Sequence, residues 1–220
     1  MSRPEFRLLK REAYRLMPWR NGRGATREIA REPRTGDEFA WRLSLADIER
    51  DGEFSAYPGY SRAIVLVAGS GLGLRFQGHG HSFLNPTRRG ARFEGDWKTD
   101  CVIPDGRCTD LSLIVRKGSA GPRAAIVRAP RVLQLESIRG VVLSRGLYSA
   151  LYVLDGSVAV TDSTRARART VRAGDTALFS PQPRRTLTLR NLGRACAQLA
   201  LLRWCPAGSN EPGAADARAM

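Results

Sequence analysis

The feature that most constrains this chain is how soon glycine or proline interrupts each of its apolar runs. Residues 63–68 (Ala-Ile-Val-Leu-Val-Ala) end at Gly69-Ser-Gly-Leu-Gly73, the pattern of a buried strand closed by a turn. Residues 39–46 alternate, with Trp41, Leu43 and Leu45 pointing one way and Arg42, Ser44 and Ala46 the other. Further short strands are expected at 111–116, 124–129, 132–137, 150–154, 157–161, 176–180, 186–190 and 196–204, each bounded by turn residues. No long segment holds a 3.6-residue period, and residues 46–50 amount to a single helical turn at most. Short strands at close, fairly regular intervals predict an all-β sandwich or barrel.

The pattern also repeats. Ile64-Val-Leu-Val-Ala-Gly69 returns in form as Leu151-Tyr-Val-Leu-Asp-Gly156, and each is followed downstream by a Gly-Asp pair, Gly95-Asp96 and Gly174-Asp175. A divergent duplication of one barrel accounts for both. The expected division is a first barrel over residues 1–120, a second over 121–206 and a disordered tail over 207–220, which lacks an apolar pattern.

Charge is the next constraint. The formal net charge is +15, yet only Lys10, Lys98 and Lys117 among the 36 basic residues are lysine. Arginines are scattered among Ala, Gly and Pro with no basic arm or basic amphipathic helix, so nucleic-acid binding is the weaker reading of the charge. Arg165, Arg167 and Arg169 recur with period two and read as protection of an exposed β-edge. No apolar run approaches the ~20 residues that span a bilayer, which predicts no membrane partner. The charged N-terminal residues lack an apolar h-region, which predicts a cytoplasmic chain. The four cysteines form no C-x-x-C pair and are expected as reduced thiols, with a Cys101–Cys108 bridge as the alternative.

Two sets of residues carry a resemblance. Leu154-Asp-Gly156, Ala173-Gly-Asp175, Pro181 and Asn191-Leu-Gly193 have the spacing of a cupin barrel. More specifically, Pro18-Trp-Arg-Asn-Gly-Arg-Gly-Ala-Thr-Arg-Glu28, Trp41-Arg-Leu-Ser-Leu-Ala46 and Asp51-Gly-Glu-Phe-Ser-Ala-Tyr-Pro-Gly-Tyr-Ser-Arg62 resemble the HutD/Ves family, as do Gly95-Asp-Trp97 and Asp105-Gly-Arg-Cys-Thr-Asp110. Asp110-Leu-Ser112 departs from the family's Asp-Phe-Asn. The resemblance implies an all-β bicupin of two jelly-roll barrels, cytoplasmic and linked to bacterial histidine utilisation. It also implies a regulatory role through sensing an intermediate such as N-formylglutamate. It brings no catalytic residues.

Metal-dependent cupins gather three histidines and a glutamate inside the barrel, a donor set suited to Fe, Mn, Ni or Zn. Here only His79 and His81 exist, at a Gly-rich hairpin tip, and no glutamate follows at the expected place. Counting back seven residues from the strand-closing Gly69, where the metal motif has its glutamate, lands on Arg62; from Gly156 it lands on Ser149. No metal and no cofactor are therefore expected. An arginine in a barrel interior attracts an anion and fits a carboxylate bidentately. The expected partner is a small carboxylate metabolite held by Arg62 and Arg42, with Ser44 and Ser55 as hydroxyl donors and Asn21 and Thr26 at the entrance. Phe54, Tyr57 and Trp41 would supply apolar walls. The competing reading is that Arg62 and Arg42 only pair with Asp47, Asp51 or Glu53. No nucleophile–base pair is visible. Three functions stay open in order: a non-metal anion-binding regulator, a metal-dependent cupin oxygenase, isomerase or lyase, and a nucleic-acid-binding regulator. A homodimer is among the open oligomeric states.

Overall fold

The structure, a computed structural model, describes residues 6–19, 24–118, 121–129, 132–134, 147–162, 168–181 and 187–205. Its strands are β1 (Phe6–Leu9), β2 (Arg15–Pro18), β3 (Gly24–Glu32), β4 (Trp41–Ile48), β5 (Gly52–Phe54), β6 (Tyr60–Ala68), β7 (Leu72–Phe76), β8 (Gly80–Leu84), β9 (Gly90–Glu94), β10 (Thr99–Val102) and β11 (Cys108–Arg116). They continue as β12 (Arg123–Ala129), β13 (Val132–Gln134), β14 (Tyr148–Asp155), β15 (Ser157–Asp162), β16 (Arg169–Arg172), β17 (Thr176–Phe179), β18 (Leu187–Asn191) and β19 (Ala197–Trp204).

Eight of these strands are followed by eight counterparts. β4 to β11 form two facing orders, β4-β11-β6-β9 and β5-β10-β7-β8; β12 to β19 form β12-β19-β14-β17 and β13-β18-β15-β16. Each half is thus a double-sheet jelly roll, an architecture that short strands with frequent turns can close without long exposed edges. Register repeats as well. On β11 and β6, Ile114, Ser112 and Asp110 oppose Arg62, Ile64 and Leu66, and the ladder then slips by one residue to Thr109 and Ala68. On β19 and β14, Arg203, Leu201 and Leu199 oppose Ser149, Leu151 and Val153 before the same slip to Gln198 and Asp155. The glycines that close the two strands, Gly69 and Gly156, have φ of 97° and 82°, which an L side chain rarely adopts.

Beyond the repeat, β3 pairs with β4 and β2 with β3. β1 pairs instead with β17, Phe6 opposite Phe179. The chain divides into two compact units, Glu12–Ala124 and Met1–Arg11 with Ala125–Met220. The N-terminal strand therefore packs in the second barrel, whereas the sequence division places it in the first. The cause is local: Phe6 stacks on Phe179 at 4.9 Å, and Asp175 accepts hydrogen bonds from Lys10 Nζ and Arg11 N. The helical turn expected at 46–50 does not form. β4 continues to Ile48, which is buried in the first barrel's core beside Cys108, Ile64 and Leu66.

Cys101, Cys108, Cys196 and Cys205 are free, so the alternative Cys101–Cys108 bridge is absent. Arg165, Arg167 and the tail 207–220 lie outside the described residues. Arg169 sits on β16, an outermost strand of its sheet, with its guanidinium over the Phe6 ring. Among the described residues no helix is long and apolar enough to cross a membrane.

Candidate anion-binding site

The first barrel has a cavity of about 380 Å³. Three adjacent strands furnish its floor. β4 contributes Arg42, Ser44 and Ala46, β11 contributes Ser112 and Ile114, and β6 contributes Arg62. Their side chains share a face because the register sets Arg42 and Arg62 on either side of Ile114, and Ser44 opposite Ser112. Thr26 enters from β3, opposite Ala46. The remaining wall is the segment from β5 into β6, with Glu53, Phe54, Ser55 and Tyr57. Trp19 completes the lining and donates its indole N–H to Thr26 Oγ1 at 2.8 Å.

The two guanidinium groups are held by rings and not by acids. Arg62 lies over Phe54, Tyr57 and Phe93 at 5.0–5.4 Å, and Arg42 over Phe39 and Tyr57 at 5.6 Å, all within cation–π range. The Tyr57 ring thus serves both. Arg62 donates from Nη1 to the Ser55 carbonyl at 3.3 Å and from Nη2 to Ser112 Oγ at 3.4 Å, both long bonds. Its Nε, like that of Arg42, is buried with no hydrogen-bond partner among the described residues.

The competing ion-pair reading does not hold in this structure. Asp47 is bonded by Arg27 and Thr109, Asp51 accepts from the Ile103 amide, and Glu53 is at the exposed rim, 3.5 Å from Lys98. None of these acids forms an ion pair with Arg42 or Arg62. Burial pulls the Arg62 guanidinium below its ordinary value, opposed by Asp110 and Tyr57 and reinforced by Arg42. An unpaired buried cation costs more than a paired one, and this one faces a cavity large enough for a small organic anion.

The segment carrying Ser55 and Tyr57 is tied back by the Gly95-Asp-Trp97 turn. Tyr57 N donates to Gly95 O and Gly95 N to Tyr60 O, at 2.8 and 2.7 Å. A Cβ at Gly95 would meet the Tyr57 carbonyl oxygen at 2.4 Å, so glycine is needed here for close approach. Asp96 accepts from Gly59 N and pairs with Lys117.

Seven of the nine residues expected to line the site do so: Thr26, Arg42, Ser44, Phe54, Ser55, Tyr57 and Arg62. Asn21 lies outside the described residues. Trp41 does not line the cavity; it alternates with Arg42 on β4 and is buried on the opposite face. Sequence reasoning did not name five residues as lining: Trp19, Ala46, Glu53, Ser112 and Ile114. Ser112 carried a signal, as the departure in Asp110-Leu-Ser112. Ile114 had none, since it sits inside an unbroken apolar run. His79 and His81 are not among the lining residues; His79 stacks on Trp97 at 4.3 Å, and both imidazoles are exposed.

The corresponding face of the second barrel carries Ser149 opposite a half-buried Arg203 and is otherwise apolar among its described residues. Leu151, Val153, Leu199 and Leu201 pack there with Val158, Val160 and Phe179 in a continuous apolar core.

Comparison with known proteins agrees with this architecture. The HutD family model matches residues 11–197. An uncharacterised 21.2 kDa protein from the hutC 3′ region of Pseudomonas putida is 40% identical over 111 residues, covering 50% of this chain and 58% of that protein. A conserved protein of unknown function from Pseudomonas aeruginosa PAO1 superposes with a TM-score of 0.79 at 28% identity, covering 92% of this chain and all of that one. HutD from Pseudomonas fluorescens SBW25, solved in a formate condition, gives 0.72 at 23% identity with 92% and 100% coverage. The oxalate decarboxylase of Lactobacillus farciminis, solved as a formate complex, gives 0.65 at 10% identity with 90% and 86% coverage. The last two likenesses establish the fold, that of the cupins.

Proposed function

Because this chain belongs to the HutD family, we propose that its first barrel binds a small carboxylate on Arg62 and that binding moderates histidine utilisation. The observation that carries the reading is the pair of guanidinium groups, Arg62 and Arg42, facing one cavity without an ion pair to a described carboxylate. A bound carboxylate supplies the missing charge and, on Arg62, a bidentate match to the guanidinium fork. N-formylglutamate fits the arithmetic: two carboxylates for two guanidinium groups, and a polar formyl group for Ser44, Ser112 or the Tyr57 hydroxyl. The relative from the hutC 3′ region ties the family to histidine utilisation.

The test is a thermal-shift titration of metal-free protein with N-formylglutamate, formate, glutamate, urocanate and histidine, followed by calorimetry. A ligand at 100 times its Kd adds about 2.7 kcal/mol of stability. The expected result is a saturable shift with a carboxylate, abolished in Arg62→Ala. Unchanged affinity in that variant overturns the assignment, and stoichiometric metal in the purified protein favours a metal-dependent enzyme instead.

A further inference from the structure

One buried acid in the first barrel is used by nothing described so far. Asp110 is 1% exposed, and neither carboxyl oxygen has a hydrogen-bond partner among the described residues. Its position on β11 is two residues from Ser112, on the same face of the strand. Arg62 stands opposite Ile114, yet its guanidinium reaches Ser112 Oγ. The side chain therefore leans along the ladder in the direction of Asp110, which is the next inward-facing residue.

We propose that Asp110 belongs to the anion site as its proton carrier, taking up one proton from solvent when a carboxylate settles on Arg62. This rests on the reading of Arg62 given above and names how that site keeps its charge in balance. Without ligand the interior holds two guanidinium groups, Arg62 and Arg42, and one carboxylate. A dicarboxylate such as N-formylglutamate would leave three negative charges beside two cations, in surroundings that solvate the excess poorly. Protonation of Asp110 restores the balance: two guanidinium cations, two ligand carboxylates, neutral acid.

Other groups near Asp110 do not replace it in this role. On β4, Asp47 adds a like charge but is committed to Arg27 and Thr109. On β10 and β11, burial pushes the thiols of Cys101 and Cys108 up to about 11 and about 12, so they stay neutral. On β6, Arg62 is the only charged group that faces it, with Arg42 acting on Arg62 from β4. For Asp110 itself, burial raises the carboxyl to about 7, against the pull of Arg62 and with a further push from Asp47. A bound anion cancels the pull of Arg62 and moves the value higher still.

The experiment is isothermal calorimetry of the full chain with N-formyl-L-glutamate between pH 6 and 8.5, in buffers of differing ionisation enthalpy. The expected uptake is about half a proton at pH 7, where a group with that midpoint is half protonated, and close to one at pH 8. Affinity correspondingly falls by up to tenfold per pH unit on the alkaline side. Asp110→Asn, which keeps the shape and loses the titration, is expected to bind with no uptake and a flat pH profile. Binding by the wild type without proton uptake, or uptake that survives in Asp110→Asn, overturns this proposal and leaves the carboxylate reading standing. If none of the carboxylates binds, both fall together. Carboxyl carbon NMR of unliganded protein gives a separate check, since an Asp110 that titrates below pH 5 also refutes the proposal.

Discussion

Replacing Gly95 by alanine tests whether the turn behind the cavity sets the position of its wall. The added Cβ would lie 2.4 Å from the Tyr57 carbonyl oxygen, 2.9 Å from the Tyr60 carbonyl oxygen and 3.1 Å from Tyr57 Cβ. Two of these are backbone atoms, so no flexible side-chain end can give way. Restoring ordinary contact requires a shift of about 0.8 Å, enough to break or stretch the two hydrogen bonds that Gly95 makes with Tyr57 and Tyr60. At about 1 kcal/mol net for each, with some strain, the cost is about 2–3 kcal/mol. The displaced segment also carries the Ser55 carbonyl that Arg62 bonds and the Tyr57 ring beneath both guanidinium groups. Urea unfolding at pH 7 should show that loss of stability. Calorimetry on the fraction that remains folded should show carboxylate affinity reduced by tenfold or more. Gly59→Ala is the control. Its φ is +80° but nothing lies within 4 Å of the new Cβ, so the variant pays only backbone strain, about 1 kcal/mol, and keeps its affinity. A Gly95→Ala protein as stable as wild type and equal in affinity would refute the argument.

Other predictions concern charge. Asp110 is raised in the folded state, so between pH 4 and 7 the native protein holds more protons than the unfolded chain and stability falls as pH rises. The full span is on the order of 4 kcal/mol, and Asp110→Asn should lack it; parallel stability-versus-pH curves for the two proteins would contradict this. In the second barrel, Asp175→Ala removes the acceptor for Lys10 and for the Arg11 and Arg172 amides. About 2–3 kcal/mol of stability should be lost with ligand affinity unchanged. The wild-type acid is depressed, since those hydrogen bonds outweigh its burial, so this contribution should be present above pH 4 and vanish as pH falls below it. Acid unfolding of the two proteins would measure it.

Much of this site was legible because β4 alternates. Arg42, Ser44 and Ala46 were readable as one face from period alone, and Arg62 followed by counting from the strand-closing glycine. The same alternation places Trp41 on the other face, and its size is no reason to bring it into the cavity. β6 and β11 were harder for a physical reason. Both faces of their sheet are buried: Leu111, Leu113, Ala63 and Val65 on one side are as inaccessible as Ile64 and Leu66 on the other. A strand covered on both faces shows a continuous apolar run, and the face of each residue can no longer be read from it. Ile114 was therefore invisible and Ser112 stood out only as a departure from family pattern. The pairing of β1 with β17 was not legible either, because it depends on Phe6 meeting Phe179 across more than 170 residues of chain.

The duplication offers a test of what this polar interior is for. Aligned strand by strand, Arg62, Ser112 and Asp110 of the first barrel correspond to Ser149, Leu201 and Leu199 of the second. The second set is as buried as the first, with a half-buried Arg203 at the position of Ile114 and leucine at the position of Asp110. A jelly roll of this register thus closes with leucine at the positions of Ser112 and Asp110, and the register itself does not demand an acid there. Replacing buried charged groups by well-packed hydrophobic residues is often neutral or stabilising, by about 1–4 kcal/mol. Transplanting the second barrel's residues, as Arg62→Ser with Ser112→Leu and Asp110→Leu, should therefore give a protein equal to or about 1–4 kcal/mol more stable than wild type in urea, and unable to bind a carboxylate. Stability retained with binding lost identifies the polar set as kept for its ligand, at a cost to the fold. Should the triple variant fail to fold while Arg62→Ala folds normally, Asp110 and Ser112 are needed by the first barrel itself, and the comparison between the barrels would lose its force.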